Sequence, residues 1–389
     1  MQFIDLQLQK EHIRSRLHQN LDAVFKHGQY IMGPEIGSLE ERLAAYVGVR
    51  HAVSCSSGTD ALLMALMALG VGPGDAVFTT PFTFIATAEV VALLGALPVF
   101  VDIDPQTYNV DPEQLKKAVE ATMSGIPAEH PLPNVENRTP LQPKGIISVG
   151  LFGLPADYGR IRALAEENGL FLVEDAAQSF GGEYPGRRSC SLGDIGCTSF
   201  FPAKPLGCYG DGGMCFTDDE RLADVMRSVR VHGQGSHKYD NDRIGINGRM
   251  DSLQAAVLHA KFDIFPEELK LRQKVADTYT KLISDPNIGL ETPAVPQGYM
   301  SAWAQYSLLA RDTAHRSRVQ DALKEQGIPT AVYYPKPLHL QRAFAYLKYR
   351  EGDFPVSEDC SQRIFSIPMH PYLVRKDQEK VAKAMAEAN

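Results

Sequence analysis

The chain has 389 residues, 44% of them hydrophobic, enough for one large core and a smaller second one. Its formal charge of −8 and lack of a long basic run exclude a general nucleic-acid binder, and no apolar stretch approaches the ~20 residues of a membrane span. The N-terminal MQFIDLQLQKEHIR shows no signal-peptide pattern, so a soluble cytoplasmic protein is expected, free of membrane and nucleic-acid partners.

In chain order, residues 1 to 30 alternate charged and apolar positions as an amphipathic helix does. A second helix is expected to begin near Pro34, with Ser38 a candidate cap ahead of Glu41. HAVSCS reads as a strand, followed by a small-residue turn and a helix from about Thr59 or Asp60 to Gly70. Helix-terminal N–H groups there, with the Ser57 and Thr59 hydroxyls, suit an anion, although a capped helix alone gives the same pattern. AVFTTPFTFIATAEVVALLGALPVFVDID reads as strand, loop, helix and strand, with Phe82 and Phe84 in the loop and two closing acids to which no chemistry is assigned. Residues 121 to 143 are polar and Pro-rich, and an exposed loop is expected. KGIISVGLFG and the residues after it supply a strand and a helix, so βα alternation runs from about residue 50 to 215 and points to a mostly parallel sheet.

The stretch from Val173 to Gly213 holds the main chemical signal. GLFLVEDAAQ reads as a buried strand delivering Glu174, Asp175 and Gln178 at its carboxyl end, where open α/β sheets place their chemistry. IGCTSFF repeats the strand signal and brings Ser199, and Lys204 follows in a segment too rich in Pro and Gly for a helix. A desolvated lysine is an amine nucleophile toward carbonyls, and a nearby acid can pair with a ring nitrogen. Most lysines are ordinary surface residues, so the pairing by itself leaves both readings open. Six cysteines, at 55, 190, 197, 208, 215 and 360, form no C-x-x-C pair, so buried reduced thiols are expected and no metal. Further on, TDDERLADVMRSVR is a helix, GINGRM an irregular polar loop, and Asp251 a candidate N-cap. A long charged helix, a strand in SAWAQYSLLA, a helix and strand in RVQDALKEQGIPTAVYY, and a helix-rich end make a smaller α+β unit.

EDAAQSFGG, SFFPAK followed by GDGG, SSGTDAL, PFTFIAT, GINGRMD and YYPKPLHLQ occur in this order, and together they resemble the DegT/DnrJ/EryC1/StrS sugar aminotransferases. The resemblance implies an α/β protein of fold type I, the aspartate aminotransferase-like fold of pyridoxal 5'-phosphate (PLP) enzymes. A large, mostly parallel-sheet domain (1–255) precedes a small α+β C-terminal domain (256–389). It implies PLP on Lys204 with Asp175 on the ring nitrogen, Gly58, Thr59, Asp60 and Ser199 at the phosphate, Phe84 on the ring face and Gln178 at its substituents. Asn247 would reach the cofactor phosphate of a second subunit, so a homodimer with shared active sites is implied. Arg249, Tyr333, Tyr334, Lys336 and His339 would contact substrate.

The reaction implied moves an amino group from L-glutamate through PLP and its pyridoxamine form to a keto group of a nucleotide-linked sugar. GINGRMDSLQ and YYPKPLHLQ look most like the subgroup acting at C3 of UDP-2-acetamido-2-deoxy-3-oxo-glucuronate, for surface polysaccharide. Amination at C4 of a 4-keto-6-deoxy sugar is the alternative, and a non-catalytic PLP-binding regulator the alternative of another class. A histidine at the lysine position would mark a dehydratase branch, which Lys204 excludes. Pro205 and Cys208 depart from the usual pattern beside the lysine. A nicotinamide oxidoreductase would need G-x-G-x-x-G after the first strand, and SCSSGTDA lacks that spacing.

Overall fold

The computed structural model describes residues 1–389 apart from 128, 136–140, 286–287 and 389. α1 (Leu6–His27) and α2 (Pro34–Val47) precede the sheet. α2 starts at Pro34 itself, with Gly33 as cap, because Pro at the first helical position needs no N–H partner. Ser38 therefore lies inside the helix, which corrects its expected capping role. The larger body contains β1 (His51–Cys55), α3 (Gly58–Ala68), β2 (Asp75–Thr79), α4 (Ala86–Leu93), β3 (Leu97–Phe100), α5 (Pro112–Ser124), β4 (Gln142–Val149), α6 (Tyr158–Glu167) and β5 (Phe171–Asp175). A short hairpin, β6 (Glu183–Tyr184) and β7 (Arg187–Arg188), then leads to β8 (Ile195–Ser199), β9 (Gly213–Thr217) and α7 (Glu220–Val229).

Seven of these strands form one sheet in the order β1-β9-β8-β5-β4-β2-β3. It is parallel except at β9, which runs antiparallel to both β1 and β8. Alternation along the strands divides the core between two faces: Val77, Ile147 and Val173 join one cluster, whereas Ala76, Phe78, Ile146 and Leu172 join another. Helices cover both faces, so these strands read as continuous apolar runs.

After the sheet come α8 (Ser252–Phe262), α9 (Phe265–Ile283), β10 (Tyr306–Leu309), α10 (Thr313–Glu325), α11 (Pro355–Arg363), β11 (Ile364–Ile367) and α12 (Arg375–Ala386). β10 and β11 pair antiparallel and pack with α9, α10 and α12 around Tyr279, Tyr306, Val319, Phe365 and Val381. A boundary at 255 falls within α8, whose Ala255 and Leu258 belong to a cluster of the larger body. The chain crosses between bodies along α9: Phe265 and Leu269 pack with that cluster, and Val275, Tyr279 and Ile283 with the second. α1 lies on α8 through Ile13, Leu17, Val257 and Ala260.

Two further expectations are corrected. Residues 121–124 complete α5 and Gln142 opens β4, so the polar stretch is shorter than expected. His130 within it is buried, its ring 2.8 Å from the Phe100 carbonyl, while 128 and 136–140 lie outside the described residues. The strand expected in TAVYY is reduced to a bridge between Ala331 and Ser366. Among the described residues no helix is long and apolar enough to cross a membrane, and no group of three His, Cys, Asp or Glu side chains is placed to hold a metal ion. All six cysteines are buried free thiols.

Candidate active site

β5 and β8 are neighbouring parallel strands, so their carboxyl ends open on the same edge of the sheet. β5 ends on Asp175, 5% exposed, whose Oδ2 accepts the Thr87 hydroxyl at 2.8 Å and whose Oδ1 accepts the Ala177 N–H at 3.2 Å. β8 ends on Ser199, and the chain then loops through Lys204 before returning as β9. The loop is tied by Phe200 N–H to the Gly212 carbonyl and by Cys208 N–H to the Phe200 carbonyl, both at 2.7 Å, with Lys204 N–H on the Phe201 carbonyl at 2.9 Å.

Burial pushes the Lys204 amine below its ordinary value, and the charge of Asp175 opposes that shift. Burial likewise pushes Asp175 up, against the Thr87 hydroxyl, the Ala177 N–H and Lys204. Each group thus meets a low-dielectric surrounding and one opposite charge, an environment in which a lysine gains nucleophilicity. Pro205 and Cys208 leave this arrangement intact. The Cys208 thiol is buried and held well above its ordinary range, so it stays protonated at neutral pH.

The α3 turn packs directly against β8. A Cβ at Gly58 would sit 2.6 Å from Ser199 Cβ, and one at Gly213 would sit 2.2 Å from the Ser57 carbonyl oxygen, so the close approach of turn and strand depends on glycine at both positions. The Ser57 hydroxyl caps α3 by accepting the Asp60 N–H at 3.0 Å, and the Asp60 carboxylate accepts the Ser56 hydroxyl. Ser199 Oγ accepts the Phe201 N–H at 3.2 Å, which leaves its own proton to donate. Behind the turn, Arg230 reaches Glu40 at 2.6 Å and the Ser54 carbonyl at 2.9 Å, fixing the end of β1.

These residues fit PLP. A desolvated amine and a buried carboxylate face one sheet edge, and a glycine turn at a helix N-terminus with a free serine hydroxyl lies beside them. Residues 11–386 match the DegT/DnrJ/EryC1/StrS aminotransferase family. The chain belongs to that family. It is 48% identical over 373 residues, 96% of each chain, to the UDP-2-acetamido-2-deoxy-3-oxo-D-glucuronate aminotransferase of Pseudomonas aeruginosa. A crystal structure of a DegT DnrJ EryC1 StrS aminotransferase from Brucella abortus superposes with a TM-score of 0.92 at 48% identity, covering 99% of this chain and 98% of that one. DesV of Streptomyces venezuelae, solved in complex with a ketimine intermediate, superposes with a TM-score of 0.90 at 33% identity, covering 99% and 97%. The protein is accordingly a PLP-dependent aminotransferase of fold type I, as the sequence resemblance implied.

The remaining expected residues fall into three groups. Phe84, 55% exposed, neighbours Tyr334, their ring centroids 6.5 Å apart, with the Tyr333 ring 5.8 Å from that of Tyr334. Gln178 is held at both ends: its Oε1 accepts the Phe152 N–H at 2.8 Å, and its Nε2 donates to the Tyr334 hydroxyl at 3.0 Å. Asn247 and Lys336 are exposed and Arg249 is half-buried; beside Asn247, the Gly248 carbonyl accepts the Ser56 N–H at 2.9 Å, so the GINGRM loop borders the α3 turn. His339 is the correction. It is 2% exposed, bonded through Nε2 to Glu358 at 3.0 Å and packed edge-on against Phe354, so it is part of the core rather than a substrate contact.

Thr87 was not anticipated, although it lies in the PFTFIAT motif, because its partner Asp175 is 88 residues away. The Arg230–Glu40 pair, 190 residues apart, likewise left no local signal.

Proposed function

We propose that the protein transfers an amino group from L-glutamate to C3 of UDP-2-acetamido-2-deoxy-3-oxo-glucuronate. The reading rests on Lys204 in the loop after β8 and Asp175 at the end of β5, in a chain 48% identical across 96% of its length to an aminotransferase named for that substrate. When bound, PLP supplies the electron sink and carries the amino group between the two half reactions. Lys204 would hold the cofactor, and its Nζ, whose pKa burial lowers, would move the proton at the donor carbon. Asp175 remains an acceptor toward the ring nitrogen. Gly58, Thr59 and Ser199 offer donors to the phosphate, whereas Asp60, its N–H already given to Ser57, shapes the turn.

Phe84 would pack on the ring, and Gln178 holds the Tyr334 hydroxyl, which would face the substrate. Tyr333, Arg249 and Lys336 supply the donors and cations that a uronate and a diphosphate need. Asn247 serves the cofactor phosphate of a second copy, which makes the working unit a homodimer. The exposed apolar residues of the α1–α2 connection, Tyr30, Ile31 and Met32, suit burial against such a partner.

The test has two steps. L-glutamate should convert the visible spectrum of the purified holoenzyme to that of pyridoxamine phosphate, and the 3-keto uronate should restore it. Restoration by a UDP- or dTDP-4-keto-6-deoxy sugar alone would move the reaction to C4, and no change with glutamate would remove the donor assignment.

A further inference from the structure

Thr83 and Thr87 are buried hydroxyls, 2% and 0% exposed, in the loop before α4 and on its first turn. Their Oγ1 atoms lie 3.0 Å apart, and Thr87 Oγ1 lies 2.8 Å from Asp175 Oδ2. An ionised carboxylate only accepts, so Thr87 must give its proton to Asp175 and is left to accept from Thr83. The direction of the chain is thereby set: Thr83 to Thr87 to Asp175. A valine has nearly the same shape as threonine at both positions, so packing alone gives no reason to bury two hydroxyls.

We propose that Thr87, polarised by Thr83, is the positioning residue that holds Asp175 as an acceptor aimed at the cofactor's ring nitrogen. With Oδ2 taken by Thr87 and Oδ1 by the Ala177 N–H, the carboxylate is fixed in rotation and neither oxygen is left wholly to itself. Burial works against ionisation of Asp175, and Lys204 is the opposite charge that faces it. When Lys204 gives up its anchoring role during turnover, the Thr87 hydroxyl is a stabilising contact that does not leave. Removing it lets the carboxylate turn or take up a proton itself, and a protonated acid no longer keeps the proton on the ring.

This inference rests on the assignment of Asp175 as the ring-nitrogen partner, and the experiment separates the two. The affinities of the apoenzyme for PLP and for 1-deaza-PLP, in which carbon replaces the ring nitrogen, are measured for wild type, Thr87→Val, Thr87→Ser, Thr83→Val and Asp175→Asn. Thr87→Val should weaken PLP binding by about tenfold, the scale of one charge-assisted hydrogen bond, with no comparable loss for the deaza analogue. Thr87→Ser should restore the affinity, and Thr83→Val, which leaves the direct contact, should cost about threefold. A Thr87→Val protein that binds PLP like wild type, or loses affinity equally for both ligands, overturns the role of Thr87. Should that variant fail to fold, failure of Thr83→Val to discriminate between the two ligands does the same. If Asp175→Asn treats the two ligands as wild type does, the assignment of Asp175 itself is overturned.

Discussion

Replacing Gly58 with alanine tests the phosphate end of the site. The added methyl would lie 2.6 Å from Ser199 Cβ and 3.1 Å from its Cα. Carbon atoms pack best at about 3.5–4.0 Å, so the α3 turn and the end of β8 must part by about 1 Å. Ser199 ends a strand held between β5 and β9, so most of the movement falls on the turn. Overpacking costs about 1–3 kcal/mol, and alanine regains about 1 kcal/mol over glycine within a helix, so the variant should still fold. Donors displaced by that distance lose their bonds to a dianionic phosphate, at about 2–3 kcal/mol in total, or roughly 30- to 150-fold in Kd. Equilibrium titration of the apoenzyme with PLP and with pyridoxal, which lacks the phosphate, separates this from general damage. Gly58→Ala should lose affinity for PLP and not for pyridoxal. Equal losses for both, or an unchanged PLP affinity, would refute the placement of the phosphate at this turn.

Glu174 is fully buried, and burial pushes its carboxyl up to about 7 from 4.5. The folded chain then holds a proton that the unfolded chain releases between those values, so stability falls as pH rises from about 4.5 to 7, by roughly 2–4 kcal/mol. Glu174→Gln should flatten that slope in urea denaturation at pH 5 to 8, and a slope unchanged by the substitution would contradict it. Asp102 accepts the N–H groups of Ile103, Val356 and Ser357 and the Ser357 hydroxyl, which ties the end of β3 to the first turn of α11. Asp102→Ala leaves these donors buried and should destabilise by about 3–5 kcal/mol; a loss under 1 kcal/mol in the same assay would show that the tie is not structural. His339→Ala should cost about 2–4 kcal/mol of stability and leave the KM for the sugar within twofold, whereas a raised KM with full stability would return His339 to the substrate cleft.

The central βα pattern was legible because strands buried on both faces are written as apolar runs, and those runs carry Asp175 and Ser199 to one edge. The α3 turn was legible too, since Ser57 caps it within four residues. What escaped depends on distant partners. β11 is recognisable only beside β10, with which Tyr306 pairs through Ile367, and the acid at position 102 acquires its task from residues 254 and 255 positions away. His339 shows the converse. It lies in a stretch that resembles the family's, yet Glu358 and Phe354 enclose it, and no local pattern distinguishes such a histidine from one that faces substrate.

The most direct test of the site is to reduce the holoenzyme with borohydride, digest it and map the covalently retained cofactor by mass spectrometry. The modification should fall on the peptide containing Lys204 alone and be lost in Lys204→Ala. A modified lysine elsewhere, or no modification of a protein that still turns over, would contradict the assignment of Lys204.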